Sequence, residues 1–192
     1  FIQNDKTFKL SDLILELEKF TQLERIRYTT SHPKDMTDDL INVYRDSKKL
    51  MPLVHLPIQS GSDKILSLMN RKHTVKQYFH IYKKLKEINS NIQFSSDFII
   101  AYPGEKDKDF QDTINLVKKI RFINSYSFVF SPRPGTPAAE NELNNLEESK
   151  KKLKKVQDII NHFQIKNNKK YFQKYCEVLI ENKSDEKDHY FG

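Results

Sequence analysis

Cysteine is nearly absent from this chain. Its one thiol, Cys176, excludes a disulfide framework, excludes any metal cluster held by cysteines of this chain alone, and suits a reducing cytoplasm. Long apolar runs are missing too: no stretch approaches the roughly 20 residues that a membrane-spanning helix needs. The opening residues Phe1-Ile2-Gln3-Asn4-Asp5 carry neither the basic stretch nor the apolar run of a secretory leader. The chain starts on Phe1 rather than methionine and stops on Tyr190-Phe191-Gly192 without a polar tail, so both ends read as cut and a fragment is expected.

What is present is positive charge and a regular alternation. The net charge is +7 with a pI near 9.2, which fits attraction to a polyanion as well as it fits a solvated, lysine-rich surface. With 37% hydrophobic and 31% charged residues, the chain suffices for one domain with a core, or most of one plus a piece of another. SDLILELEKF opens on Ser11 and sets Leu13, Leu17 and Phe20 at helical spacing, and TDDLINVYRDS has Thr37 as its N-cap and acids in its first turn. HTVKQYFHIYKKLKEI puts Tyr78, Tyr82 and Leu85 on one face. KDFQDTINLVKKI does the same with Phe110, Ile114, Val117 and Arg121, Ile120 flanking. A long helix from about Leu146 to Phe172 carries Leu153, Val156, Ile160 and Phe163. Between the helices, ERIRYTT (24–30), LVHLPIQ (53–59), IQFSSDFIIAY (92–102) and SYSFVFS (125–131) read as strands.

Such repetition predicts βα units in a parallel sheet. Four strands are too few to close an eight-stranded barrel. The expected fold is α/β, the C-terminal portion of a partial, open TIM-like barrel truncated at its beginning and followed by a long helix. TTSHP (29–33), QSGS (59–62), AYPGE (101–105) and SPRPGTP (131–137) each follow the C-terminal end of a strand, the edge where such folds bind ligands. Connections explain the Gly and Pro there, but not Gln59, Ser60, Asp97 and an arginine, Arg71, twelve residues after Gln59. An amide facing a carboxylate suits a vicinal diol, and a guanidinium suits a carboxylate. A ligand with both a ribose and an amino-acid carboxylate, such as S-adenosylmethionine, meets that description. Backbone from Ile99 to Ala101 could pair with an adenine edge. Asp97 also admits a structural role, satisfied by backbone or a lysine.

In this order and at these separations, SHPKDMTDDLI, HLPIQSGSDKILSLMNRKHT, SSDFIIAYPGE and SYSFVFSPRPGTPAA resemble the radical-SAM domain of the tRNA methylthiotransferases, from about Glu24 to Ile180. The nearest resemblance is to bacterial enzymes that make 2-methylthio-N6-isopentenyladenosine beside the anticodon. The resemblance implies that Gln59 and Asp97 bind the ribose diol of S-adenosylmethionine and that Arg71 grips its methionine carboxylate. It places Ile99 and Ala101 at the adenine and allows Ser60 and Arg133 at the cofactor. No acid/base work is assigned to His32, His55 or His73, and no catalytic residue is expected in this chain. The family uses two four-iron four-sulfur clusters, one held by a CxxxCxxC loop; those cysteines are not in this sequence, so the piece alone is expected to be inactive.

The same resemblance implies a tRNA substrate, a flavodoxin or ferredoxin as electron donor, a monomer, and a cytoplasmic, non-membrane setting. It divides the chain into 1–173, the end of the radical-SAM domain, and 174–192, the start of a small RNA-binding TRAM β-barrel whose first strand would be Cys176 to Ile180. Lys150, Lys151, Lys152, Lys154 and Lys155 form either a wet helix face or a phosphate contact. The alternatives are a sister methylthiotransferase acting on threonylcarbamoyladenosine or a ribosomal protein, a radical-SAM porphyrinogen oxidase, and a non-enzymatic RNA-binding relative without clusters.

Overall fold

The computed structural model describes residues 2–3, 6–29, 32–186 and 188–191. Thr30 and Ser31 of the TTSHP rim segment therefore lie outside the described residues.

A short antiparallel pair, β1 (Ile2–Gln3) and β2 (Lys6–Thr7), precedes α1 (Leu10–Glu18) and α2 (Asp38–Asp46). The centre of the molecule is a parallel sheet in the order β3 (Leu53–His55), β4 (Gln93–Ile100), β5 (Asn124–Val129). Between these strands run α3 (Asp63–Leu68), α4 (Val75–Ile88) and α5 (Asp107–Ile120), and α6 (Leu146–Asn168) packs back on β5. Each parallel strand is thus followed by helix, as the alternation predicts.

Alternation along β4 sorts the sheet into two faces. Phe94, Ser96, Phe98 and Ile100 turn outward into the helix layer and are buried with Tyr78, Leu85, Ile114, Val117, Val156 and Ile160. Tyr78 adds a hydrogen bond from its hydroxyl to the Leu56 carbonyl at 2.9 Å, since a buried phenol needs an acceptor. Ser95, Asp97 and Ile99 turn to the other, concave face. There they meet His55 from β3, and the register pairs Asp97 with Tyr126 and Ile99 with Phe128 from β5.

Four expectations need correction. Residues 24–29 of ERIRYTT form no continuous strand; they contribute one parallel bridge, Ile26 to Leu50, where residues 49–51 run alongside. In α1 the Leu13–Leu17–Phe20 stripe faces inward only at Leu17, which is partly buried against the core. Ser11 and Ile14 are buried, while Leu13 and Phe20 are largely exposed. Polar anchors set that rotation: Ser11 donates to Asp39 at 2.7 Å, and Glu18 accepts from the Ser47 hydroxyl and the Lys48 and Lys49 amides. In α5, Ile120 completes the apolar stripe and Arg121 instead ends the helix in the left-handed region at φ 60°. Finally, Cys176 to Ile180 forms no strand. Its apolar side chains are exposed, and the pairing that does occur is between β6 (Asn182–Lys183) and β7 (Tyr190–Phe191). A lone extended segment without a neighbour cannot satisfy its backbone groups.

Candidate functional site

The site is built where β3 and β4 end. After His55 the chain stays beside β4 to Gln59, whose N–H donates to the Asp97 carbonyl at 2.9 Å and whose carbonyl accepts from the Ile99 N–H at 3.0 Å. Gln59 itself sits at φ 76°, in the left-handed region that a non-glycine residue occupies at a cost of order 1–3 kcal/mol. Its side chain is 6% exposed and makes no hydrogen bond among the described residues.

The next three residues clamp this turn onto α5. Thr113 Oγ1 accepts from the Gly61 N–H at 2.9 Å, and the Ser62 hydroxyl donates to Asp109 at 2.7 Å. A Cβ at Gly61 would lie 2.5 Å from the Thr113 Cα, so only glycine permits this approach. Ser62 also caps α3. After α3, Asn70 turns left-handed at φ 57° and the Arg71 N–H returns to the Leu66 carbonyl at 2.8 Å. A six-residue helix plus one reversal therefore brings Arg71 back toward the sheet. Its guanidinium is half-buried and makes no ion pair among the described residues. Burial lowers its pKa from the ordinary value while the charge of Asp97 opposes that shift, which places the two groups within reach of each other's field.

Asp97 is the unfinished member. Its Oδ1 is buried and has no hydrogen-bond partner. His55 Nε2 stands 3.5 Å away, an attraction only when that ring is protonated, and without hydrogen-bond alignment. His55 Nδ1 is held by the Ser95 hydroxyl at 2.9 Å. Leaving a carboxylate oxygen buried and unpaired is costly. An external hydroxyl donor at this point would remove the cost.

The structure brings Gln59, Asp97 and Arg71 together and leaves other expected residues elsewhere. Ser60 is buried against α5, its hydroxyl 3.4 Å from that of Thr113 and accepting the Ser62 N–H at 3.2 Å. The Ile99 N–H is used by Gln59. The Ala101 N–H is taken, donating to Glu105 at 3.2 Å, while its carbonyl accepts from Asn144 at 3.0 Å and keeps a second lone pair. Arg133 lies on the exposed loop after β5, making no hydrogen bond or ion pair with Gln59, Arg71 or Asp97. On α6, Lys150 pairs with Glu147, Lys152 with Asp107 and Lys154 with Asp158, Lys155 lies over the Phe110 ring, and Lys151 is exposed with no such partner.

Sequence reasoning missed Glu105 and Asn144, which fix the left-handed Ala101 (φ 59°) at the end of β4. Burial pushes the Glu105 carboxyl up to about 7. The Glu of AYPGE was a visible signal; Asn144 had none. Also missed was the contact between His32 and His73, whose rings meet edge-on at 4.8 Å. Among the described residues no three metal-ligating side chains cluster, and the single cysteine, Cys176, is exposed.

A family model described as the Radical SAM superfamily matches residues 4–117. Curated relatives named tRNA-2-methylthio-N(6)-dimethylallyladenosine synthase include one from Pelagibacter ubique, 57% identical over 99% of this chain and 43% of its own length. One from a Wolbachia strain of Culex pipiens is 47% identical over 93% of this chain and 41% of its own. The chain thus spans about two-fifths of the length of these relatives. Among solved structures, coproporphyrinogen III oxidase from Escherichia coli, described as a radical SAM enzyme, superposes with a TM-score of 0.55 over 69% of this chain and 31% of that one. At 16% identity that likeness speaks to the fold alone.

Proposed function

Since the chain belongs to the radical SAM superfamily, we propose that its concave rim binds S-adenosylmethionine, within a parent enzyme that adds a methylthio group to C2 of N6-isopentenyladenosine next to the tRNA anticodon. The observation that carries the first part is the buried Asp97 Oδ1, without a hydrogen-bond partner, within the electrostatic reach of a half-buried Arg71 that has no ion pair among the described residues. Asp97 and the free amide of Gln59 take the ribose hydroxyls, and Arg71 takes the methionine carboxylate. Ile99, held by Gln59, lines the adenine side with its half-buried side chain. Ser60 acts by holding the loop on α5, and Arg133 reaches the site from its exposed loop when substrate is bound.

The cofactor, bound at an iron–sulfur cluster, supplies hydrogen-abstraction and methyl-transfer chemistry, while this chain binds, orients and excludes water. The one cysteine here cannot anchor a four-iron cluster, so in the parent protein both clusters are held by other residues. The names of the curated relatives support the adenosine substrate. A tRNA partner, a flavodoxin- or ferredoxin-type donor, a monomeric state and a cytoplasmic setting belong to the same reading, and no described helix is long and apolar enough to cross a membrane. Residues 1–173 close the radical-SAM domain and 174–192 begin a TRAM-type module. Lys151, with the exposed Lys150 and Lys154, faces RNA phosphate, and Lys152 and Lys155 reinforce that field from the same helix.

Calorimetry on the full-length parent protein tests this. Asp97→Asn weakens S-adenosylmethionine binding roughly tenfold or more, the scale of a charge-assisted hydrogen bond. Unchanged affinity would remove the rim from cofactor binding.

A further inference from the structure

His32 and His73 are separated by 41 positions yet meet at 3.3 Å through His32 Nε2 and His73 Nδ1. The direction of that contact follows from a backbone group. The Lys34 N–H donates to His32 Nδ1 at 3.1 Å, and a backbone amide has only a proton to give. His32 Nδ1 is therefore a lone pair, its proton resides on Nε2, and Nε2 donates to His73 Nδ1. The His73 proton then lies on Nε2, which is buried and has no hydrogen-bond partner among the described residues; the ring lies close to the backbone of Ile58, the residue before Gln59. One directed chain thus joins the 32–36 turn to the turn carrying Arg71.

The Arg71 backbone is tied to Leu66, but no hydrogen bond or ion pair among the described residues fixes its side chain. Arg71 follows a left-handed Asn70, and a flexible guanidinium beside water has many rotamers to visit. His73 is two residues on, buried, and immediately precedes Thr74, whose hydroxyl caps α4. The contact is a brace that ties the segment after the reversal to the 32–36 turn.

We propose that His32 and His73 are positioning residues that hold Arg71 for the carboxylate of the bound cofactor. This rests on the reading that Arg71 binds that carboxylate. Both rings stay neutral, which the directed chain requires. Burial, then His32 and Arg71, hold His73 down to about 4, against which Asp63 and the Ile58 backbone act. Burial and Arg71 also lower His32, with Lys34 adding to the shift and Asp35 opposing it.

The experiment compares two ligands on the full-length protein by calorimetry: S-adenosylhomocysteine, which has the carboxylate, and 5′-methylthioadenosine, which lacks it. His73→Ala weakens the first about three- to tenfold and leaves the second within twofold. His73→Asn, which keeps an acceptor for His32 Nε2, recovers most of the loss. His32→Ala behaves like His73→Ala, and the double variant is no worse than either single one. Arg71→Ala is the reference, losing ten- to a hundredfold for the carboxylate ligand only. Equal weakening of both ligands by His73→Ala would reduce the pair to a fold element and overturn the proposal. If Arg71→Ala discriminates and the histidine variants do not, the brace alone fails. If Arg71→Ala does not discriminate, the assignment of Arg71 to the carboxylate fails, and the brace with it. Should His73→Ala not fold, His32→Ala, which removes the donor to His73 Nδ1, carries the same comparison.

Discussion

On the outer face of β4, Phe94, Ser96, Phe98 and Ile100 are sealed beneath α4, α5 and α6, and even the hydroxyl of Ser96 is matched, donating to the Leu56 carbonyl at 2.9 Å and accepting the Ile58 N–H at 3.0 Å. On the concave face of the same strand, Asp97 keeps a buried oxygen without a partner, and its neighbours across the register, Tyr126 and Phe128, are 61% and 60% exposed. One backbone carries both patterns. The outer face is complete with this chain's own atoms, as a folding core must be. The concave face keeps a buried polar atom unmatched, which under the proposed function a ribose hydroxyl satisfies.

That contrast is open to attack from either side. Phe98→Ala on the sealed face should lower stability by about 3–5 kcal/mol in denaturant titration; a loss under about 1 kcal/mol would mean the outer face is not the core. Asp97→Asn on the concave face should do the reverse of a core change. By removing the charge on a carboxylate whose buried Oδ1 has no hydrogen-bond donor among the described residues, it leaves stability level or raises it by about 1 kcal/mol, even as cofactor affinity falls. Destabilisation on the scale of Phe98→Ala would make Asp97 a structural residue.

A third change sharpens the boundary between the faces. Glu105 titrates near 7 when folded, against an ordinary 4.5. The folded chain therefore holds this proton more tightly, and its contribution is greatest below about 4.5 and lost as pH rises through about 7, a decline of about 1–3 kcal/mol. Glu105→Gln should flatten that slope, and a slope that persists would place the titration elsewhere. The smallest effect concerns α6. Lys151→Ala should reduce the salt slope of tRNA binding by about one unit, while Lys152→Ala, whose ammonium is already 2.9 Å from Asp107, should change it less and cost under about 1 kcal/mol of stability. Equal slopes for both variants would return the whole run to a solvated face.

Much of the frame was legible because it is periodic. Tyr78, Leu85, Ile114, Val117, Val156 and Ile160 repeat at helical intervals and are buried as that spacing requires. The nearness of Gln59 to Asp97 was legible because an amide closing one strand and a carboxylate inside the next both need a reason. Less visible were features fixed by long-range contacts. The burial of α1 is set by Asp39 and Ser47, the His32–His73 contact spans two loops, and Asn144 reaches Ala101 from before α6. The Cys176–Ile180 segment failed for a related reason: its residues favour a strand, but strand formation is a property of pairs.

Gln59, Asn70 and Ala101, all left-handed and none glycine, carry a practical consequence for anyone seeking a hardier version of this domain. Glycine at each would relax the backbone, and a stability screen would select those exchanges readily. Each sits where the chain must bend to present the amide, the cation or the strand end. A sturdier variant obtained that way would be one with its grip removed.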